Sequence, residues 1–411
     1  MPQKLNSAGK MQNYVPAGHP AGGEYGDNAT GSNKHFTNFK KPKSKSKIKE
    51  KFEEKLEINL DAKKYSKEQV LEMLDNIQDE SIQKAFDYAI DNFGNNIPKI
   101  ILQSYGGSFF RKEDSLFGLK GIYFDEEDLE REFENKGEPL VHEFTHWITN
   151  NMNVKVELER DAKWWWVPKD KKTLTFDMPI GLAPIFNGKS FTDIIKSEAQ
   201  SLNRKSSVIN PLKEKMENNI NDAFAKANLN RKEYDNYFGI MRETYFKEIK
   251  DYLKNDYQNG EITKSEYMNK LKSKNLIQEC INRFPDKKNK FEMISKGFEI
   301  ESKVKNVFWK ENGLAIVSDM LSSNTSSGEK SGFGLGHDSE YFKSKKDSYG
   351  LETNGNYSNE FTSEMFSALA TGNTNVIETT KKLMPKSYEA FQEILKYYTG
   401  DKKYEWFSFS I

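Results

Sequence analysis

Two histidines four residues apart, with a glutamate beside the first, are the residues of this chain best suited to chemistry. They are His142, Glu143 and His146, in the segment Val-His-Glu-Phe-Thr-His-Trp that starts at residue 141. On a helix, residues four apart lie one above the other on one face, so the two imidazoles can bind one Zn²⁺. Glu143 then lies where it can polarise a water molecule. The spacing therefore predicts a zinc site with Glu143 as its general base.

A zinc site that performs chemistry needs a third protein ligand and one open position. Glu360 and Glu364 are four residues apart in the segment Asn-Glu-Phe-Thr-Ser-Glu, so on a helix they share a face. Together with the His-Glu-x-x-His motif, this segment resembles the gluzincin group of the zincin metallopeptidases. The resemblance implies that Glu360 binds zinc and that Glu364 holds a zinc-binding imidazole by its other nitrogen.

His337 is the competing candidate for the third ligand. It lies in the segment Gly-Leu-Gly-His-Asp, where it would either bind the metal or stabilise the oxyanion of a tetrahedral intermediate. Tyr341 is a second candidate for the oxyanion role. We prefer Glu360 as the ligand because its partner Glu364 has a mechanical purpose, and His337 stays open as the alternative.

The long interval between His146 and Glu360 predicts an inserted domain. Residues 190–298 are highly charged and have helical periodicity, and Thr263 looks like the cap of a helix within them. One stripe of apolar residues at helical spacing consists of Phe238, Met241, Tyr245, Ile249 and Tyr252.

We therefore predict an α+β fold in which a tail is followed by a core of two separate segments with an insertion between them. The resemblance implies a zincin-like core formed by residues 61–150 and 301–405, and residues 151–300 would be a helical insertion. Residues 119–124 are predicted to form a strand. Zincins place a substrate-binding edge strand before the active-site helix, so the substrate is expected to lie along Gly121–Phe124. Trp164–Trp166 are expected to be buried against the insertion.

Composition limits the classes of partner. The chain of 411 residues has 62 basic and 62 acidic residues, so no net charge steers it toward nucleic acid. The single cysteine, Cys280, excludes a disulfide framework and indicates a reducing compartment. The N-terminus has no apolar signal region, and no stretch is apolar and long enough to span a bilayer. We expect a location in the cytoplasm of a host cell or in a virion, with no membrane partner.

Residues 1–57 are predicted to be disordered, because they are rich in Gly, Asn, Ser and Lys. The basic run Lys40–Lys51 is interpreted as a solvated linker rather than a contact with nucleic acid. Within the tail, Gly-His-Pro-Ala-Gly-Gly-Glu-Tyr ends at Tyr25 and resembles an element of phage head proteins and prophage-encoded multidomain proteins.

The C-terminal segments Val317–Met320, Gly336–Phe342 and Glu360–Phe366 resemble the end of phage minor head (head morphogenesis) proteins. This chain departs from the family in having Thr362-Ser363 where Phe-Ala is usual. The resemblance implies phage head components as partners.

We predict a zinc-dependent endopeptidase that acts on a peptide or protein substrate. Its biological role would be that of a maturation protease or of a toxin or effector. The alternative is a structural head component with a non-catalytic zinc site, in which His337 would be a fourth protein ligand.

Overall fold

The computed structural model describes residues 3–5, 11–14, 25–26, 47–77, 79–104, 108–112, 120–126, 129, 137–159, 173–322, 337, 341–343, 345, 353, 355–402 and 407–410. Residues 1–45 form one compact unit, and residues 46–411 form a second. In the first unit, strands β1 (Gln3–Leu5), β2 (Met11–Tyr14) and β3 (Tyr25–Gly26) pair antiparallel in the order β1-β2-β3.

The second unit contains helices and two further sheets. Its described helices are α1 (Lys47–Lys55), α2 (Lys67–Met73), α3 (Glu80–Phe93), α4 (Glu138–Asn151), α5 (Phe191–Arg204), α6 (Ser206–Lys226), α7 (Arg231–Ile240), α8 (Phe246–Gln258), α9 (Lys264–Lys270), α10 (Ser273–Arg283), α11 (Lys288–Asn312), α12 (Ala315–Ser322), α13 (Asn356–Ala370), α14 (Thr374–Leu383) and α15 (Pro385–Tyr398). Its described strands are β4 (Leu56–Ile58), β5 (Lys99–Gln103), β6 (Phe109–Arg111), β7 (Gly121–Asp125), β8 (Asn153–Glu159), β9 (Thr173–Pro179) and β10 (Phe407–Ser410).

The sheet that precedes α4 is mixed and has the strand order β4-β5-β7-β6. β4, β5 and β7 are parallel, whereas β6 pairs antiparallel with β7. The strand predicted at residues 119–124 is present as β7. Its predicted position at the edge is wrong, because β5 pairs with one side of Gly121–Tyr123 and β6 with the other. Among the strands that the structure describes, β6 is the last on that side of the sheet.

Helix α4 carries the two histidines and is fixed by its apolar face. Pro139 in the first turn suits a helix start, because its missing N–H has no partner to lose there. Phe144 and Trp147 are fully buried, and their ring centroids are 5.0 Å apart. The ring of Phe144 also lies 5.2 Å from that of Phe86 on α3. This packing leaves the opposite face of α4 to the histidines.

Helix α13 packs along α4 and brings in residues from far along the chain. Ser363 and Ser367 are small and fully buried, which allows the two helices to approach closely. The Ser367 hydroxyl donates a hydrogen bond of 3.2 Å to the backbone oxygen of Glu138. Phe366 on α13 packs on Phe86, with ring centroids 6.1 Å apart. Residues on either side of the central helical segment thus share one core.

The prediction that residues 1–57 are disordered is wrong at both ends: β1, β2 and β3 lie near its start, and residues 27–46 lie outside the described residues. Helix α1 and the start of β4 lie within residues 1–57, and Ile48 and Phe52 on α1 are buried. The ring of Phe52 lies 6.0 Å from that of Phe124 and 5.4 Å from that of Phe144. Ile48 and Phe52 are four residues apart in a segment that is rich in Lys and Glu. The average composition of the segment therefore does not show that one face of its helix is apolar.

The predicted helical insertion starts too early. Residues 151–204 include the β8–β9 hairpin and α5, and α5 packs on α12, α13 and α15. The Thr192 hydroxyl on α5 donates a hydrogen bond of 3.1 Å to the Ser358 hydroxyl on α13. The helices that pack mainly on one another are α6 to α11, over residues 206–312. Helical periodicity alone did not separate α5 from them, because it does not say which neighbour covers an apolar face.

The apolar stripe predicted for residues 238–252 is present except at its end. A π-helical turn, Met241–Tyr245, separates α7 from α8 within the stripe. Met241 and Ile249 are buried as predicted, whereas Tyr252 is exposed. Leu253, four residues after Ile249, is buried in its place.

The described residues form an α+β fold, which confirms the predicted class, and the zincin-like core stays a prediction. The helix start at Thr263 is confirmed, because its side chain accepts a hydrogen bond from the backbone N–H of Glu266. Trp164–Trp166 lie outside the described residues. No helix in the described part of the chain is long and apolar enough to cross a membrane.

Replacing Phe144 by alanine should lower the free energy of unfolding by about 3–5 kcal/mol, because a fully buried ring between α1, α3 and α4 would be replaced by a cavity. Denaturant unfolding followed by circular dichroism measures this loss. Ile240→Ala, at a side chain that is 45% exposed, is the control and should cost less than about 1 kcal/mol. Equal losses in the two variants would contradict the described packing.

Candidate metal centre

Helix α4 places two imidazole nitrogens side by side. His142 Nε2 and His146 Nε2 are 3.1 Å apart, and the two rings meet edge to face with centroids 4.8 Å apart. Both side chains are mostly buried, at 19% and 12% exposure. Two neighbouring ring nitrogens without an intervening cation form a poor contact unless one of them carries a proton. Their approach is what two ligands of one metal ion require.

Helix α13 adds the carboxylate of Glu360 to this pair. Glu360 Oε2 lies 3.4 Å from His142 Nε2, and Oε1 lies 3.4 Å from His146 Nε2. Zn²⁺ bonds of 2.0–2.1 Å in a tetrahedron separate neighbouring ligand atoms by roughly 3.3 Å. The three side chains predicted as ligands therefore lie at the mutual spacing of three corners of a tetrahedral site.

The Glu360 carboxylate has the environment of a metal ligand. The residue is 1% exposed, and its Oε2 accepts no hydrogen bond from the described residues. The 3.4 Å separation from His142 is longer than an ordinary N–H···O hydrogen bond. A buried carboxylate oxygen without a donor is costly, and a cation between it and the imidazoles would remove that cost.

Glu143 lies next to the first imidazole but is not needed to complete the ligand set. It is buried, and a carboxylate oxygen, one nitrogen of His142 and one of His146 all lie within 4.8 Å of one another. A carboxylate at this place suits proton transfer from a water molecule near the metal.

The two imidazoles are held differently from the prediction. Ser363 Oγ lies 3.2 Å from His146 Nδ1, which is a hydrogen-bonding distance. Glu364, predicted to hold a histidine ligand, has its Oε1 4.0 Å from His142 Nδ1. That distance allows a charge interaction but no direct hydrogen bond. Ser363 was not predicted as a site residue, although it lies in the segment that resembles the gluzincins.

His337 and Tyr341 flank Glu360. Their rings stack with centroids 4.0 Å apart, and the Tyr341 hydroxyl donates a hydrogen bond to Glu360 Oε1. His337 Nε2 lies 3.9 Å from the same oxygen. Both candidates for the oxyanion role are therefore brought to the site.

Asp319 orients His337 and was not predicted as a site residue. Its Oδ1 lies 3.1 Å from His337 Nδ1 and accepts a hydrogen bond of 2.6 Å from the His337 backbone N–H. Holding Nδ1 turns Nε2 toward Glu360. Asp319, His337 and Glu360 form a second group whose atoms could hold a metal ion. The segment Val317–Met320 contains the signal for Asp319, but its role depends on a contact that the sequence does not specify.

The acidic surroundings decide which imidazole carries a proton. Burial alone lowers the pKa of His142, but the contact with Glu360 and the charges of Glu143 and Glu364 outweigh it and raise this pKa to about 10. Burial lowers the pKa of His146 to about 4 despite the nearby Glu360 carboxylate. Burial opposes ionisation of Glu360, yet the imidazoles around it hold its pKa well below the usual range. At neutral pH, the metal-free site thus pairs a charged His142 with an ionised Glu360.

His337 also keeps a positive charge at neutral pH. Burial lowers its pKa, but the hydrogen bond with Asp319 and the charge of Glu360 outweigh burial and raise the pKa to about 9. Burial and the neighbouring Glu360 carboxylate raise the pKa of Tyr341. Both groups are therefore protonated and able to donate a hydrogen bond.

The chain was compared with known proteins at three levels. No protein-family model, no curated protein and no solved structure matches it. A functional proposal therefore has to rest on the geometry and charge of this site.

Metal binding should release about one proton from His142 at pH 7, because the metal-free imidazole has a pKa of about 10 and must lose its proton to act as a ligand. The apparent affinity should therefore fall by about tenfold for each unit that the pH drops from 8 to 6. Calorimetric titration of metal-free protein with Zn²⁺, in buffers of different ionisation enthalpy, measures the number of protons.

The variant His337→Gln is the control for this experiment, since it removes the other imidazole that is charged at neutral pH. It should release the same proton from His142. An affinity that does not change between pH 6 and pH 8 would contradict the assignment of His142 as a ligand.

Proposed function

We propose that this chain is a zinc-dependent endopeptidase. The observation that carries the proposal is the convergence of His142 Nε2, His146 Nε2 and the Glu360 carboxylate at separations of 3.1 Å and 3.4 Å. Glu143 lies buried beside this group, where a general base is required. Two imidazoles and one carboxylate are the ligand set of hydrolytic zinc sites that keep an open position.

Zinc is the metal that fits best. Imidazole favours borderline metals, and the ligand spacing suits a tetrahedral ion with short bonds. When bound, Zn²⁺ would act as a Lewis acid toward a substrate carbonyl and would lower the pKa of water in the site.

The side chains around the three ligands divide the remaining work. Glu143 takes a proton from the attacking water and delivers it to the leaving amine. His337, charged at neutral pH and aimed by Asp319, stabilises the negative charge that develops on the substrate carbonyl oxygen. Tyr341 becomes a second donor for that oxygen when its hydroxyl, which has one proton to donate, turns to it from Glu360.

The substrate strand is proposed to pair with β6 rather than with β7. β6 is last in the order of its sheet, and α4 packs against both β6 and β7. An extended peptide added at β6 would gain hydrogen bonds with the backbone of that strand. It would then run past the part of the site that α4 forms. The biological role follows from the resemblance only: a phage or prophage maturation protease, or a toxin or effector.

One observation favours a second candidate function. His337 Nε2 lies 3.9 Å from Glu360 Oε1, close enough for a small movement to make it a fourth ligand. A closed set of four protein ligands would be a structural zinc site in a head component. The contacts of His337 with Asp319 fit either function, because a carboxylate also holds the second nitrogen of a metal-binding imidazole. The open site is favoured by the 3.9 Å distance, which exceeds the roughly 3.3 Å between neighbouring ligand atoms of a tetrahedral Zn²⁺.

Glu143→Gln should keep the zinc and lower peptide hydrolysis by about 10²–10⁴-fold, because the amide cannot accept the proton of water. Zinc content by elemental analysis and cleavage of a casein substrate are the two measurements. His146→Ala is the matched variant and should lose the metal as well as the activity. Wild-type cleavage rates in Glu143→Gln would refute the hydrolytic function.

Asp319→Asn should lower kcat/KM by roughly 10–100-fold without loss of zinc, since Asp319 positions His337 and does not bind the metal. It should also move the alkaline limb of the pH–rate profile to lower pH, because the carboxylate raises the His337 pKa to about 9. If His337→Ala loses zinc, His337 is a ligand and the structural site is the better account.

A further inference from the structure

A cavity of about 430 Å³ lies at the N-terminal end of α4. Its walls come from the end of α11, the start of α12, and the turn between α13 and α14. Its size is within the range of small-ligand pockets. The residues that line it include Glu138, Trp309, Lys310, Glu311, Ala315 and Val376.

The Glu138 carboxylate is the acceptor in this cavity that no described group pairs with. No hydrogen bond or ion pair from the described residues reaches its side chain, and the residue is half-buried. Burial raises its pKa to about 7, even though His142 and Lys310 act in the opposite direction. A carboxylate withdrawn from water favours a cationic partner.

The cavity adjoins the metal centre along one face of α4. Glu138, His142 and His146 are spaced four residues apart, so they lie in one row. Glu138 is one step of four residues, or about 6 Å, from His142 along the helix axis. Adjacent residues of an extended peptide are roughly 3.3–3.6 Å apart, and a lysine or arginine side chain is long enough to cover the remaining distance.

We propose that this cavity receives a basic side chain of the substrate, from a residue close to the bond that is cleaved. The Glu138 carboxylate pairs with the cationic head, and Trp309, Ala315 and Val376 cover its apolar stem. This inference rests on the proposed peptidase function and adds the substrate class. Lys310 and Glu311 lie at the exposed rim, where solvent screens them.

The test compares lysine with norleucine, which has a similar stem and no charge. Peptides cleaved by the zinc-loaded protein are first identified in a random library, and lysine or arginine should be enriched at one position beside the cleaved bond. For one such peptide, kcat/KM should be at least about tenfold higher with lysine than with norleucine at that position. Glu138→Gln should remove this difference and leave cleavage of the norleucine peptide within about twofold.

Glu311→Gln is the matched control, because it removes a carboxylate from the exposed rim of the same cavity. It should retain the preference for lysine. Cleavage without enrichment of basic residues, or an unchanged lysine preference in Glu138→Gln, would overturn the proposal. Glu138→Gln should also melt no lower than the wild type, since it removes a charge that burial disfavours.

A binding measurement separates this proposal from the peptidase function. Two alanine-based peptides that differ only in having lysine or norleucine at the central position, chosen without reference to cleavage, are titrated into zinc-loaded Glu143→Gln by calorimetry. Tighter binding of the lysine peptide, abolished by adding Glu138→Gln, supports the cavity even if no hydrolysis is found. Equal binding of both peptides overturns the cavity assignment even if the protein is an active peptidase.

Discussion

The burial of the Glu360 carboxylate against two imidazoles is the interaction on which this structure depends. Helices α4 and α13 approach closely enough to remove Glu360 almost entirely from water. A buried carboxylate is tolerated only when charges or donors compensate for the lost hydration. Here His142, His146 and the Tyr341 hydroxyl provide that compensation. The aromatic packing of Phe144 and Phe366 on Phe86 holds the two helices together at the required distance.

Local spacing predicted the parts of the site that lie on single helices. His142 and His146 share a face because they are four residues apart. Glu360 was predicted from the resemblance of its segment to the gluzincins. Contacts between residues far apart in the sequence were harder to predict. Asp319 and Ser363 act through one hydrogen bond each, to residues that lie close in space only after folding. β6 was missed as the edge because the pattern of a strand does not state its place in the sheet.

The errors in the fold have similar physical causes. Phe52 on α1 belongs to the core, although its segment has the composition of a linker, because two apolar residues at the right spacing are enough to dock a short helix. Tyr252 was expected in an apolar stripe, but Leu253 is buried instead, because residues three and four positions after Ile249 both lie near its face of the helix. Charge and periodicity identified helices correctly but did not say which of them cover the core.

The charges around the site would be balanced by a divalent cation. Five carboxyl groups surround three imidazoles: Glu138, Glu143, Asp319, Glu360 and Glu364 around His142, His146 and His337. In the metal-free protein this excess of acid is relieved by protons. Burial raises the pKa values of Glu138 and Glu364 to about 7, and neighbouring acids raise those of His142 and His337 to about 10 and about 9. A dication bound by His142, His146 and Glu360 would replace the proton of His142 and favour ionised carboxylates around it. Glu143 would then be available as a base, and Glu138 as a charged partner for the substrate.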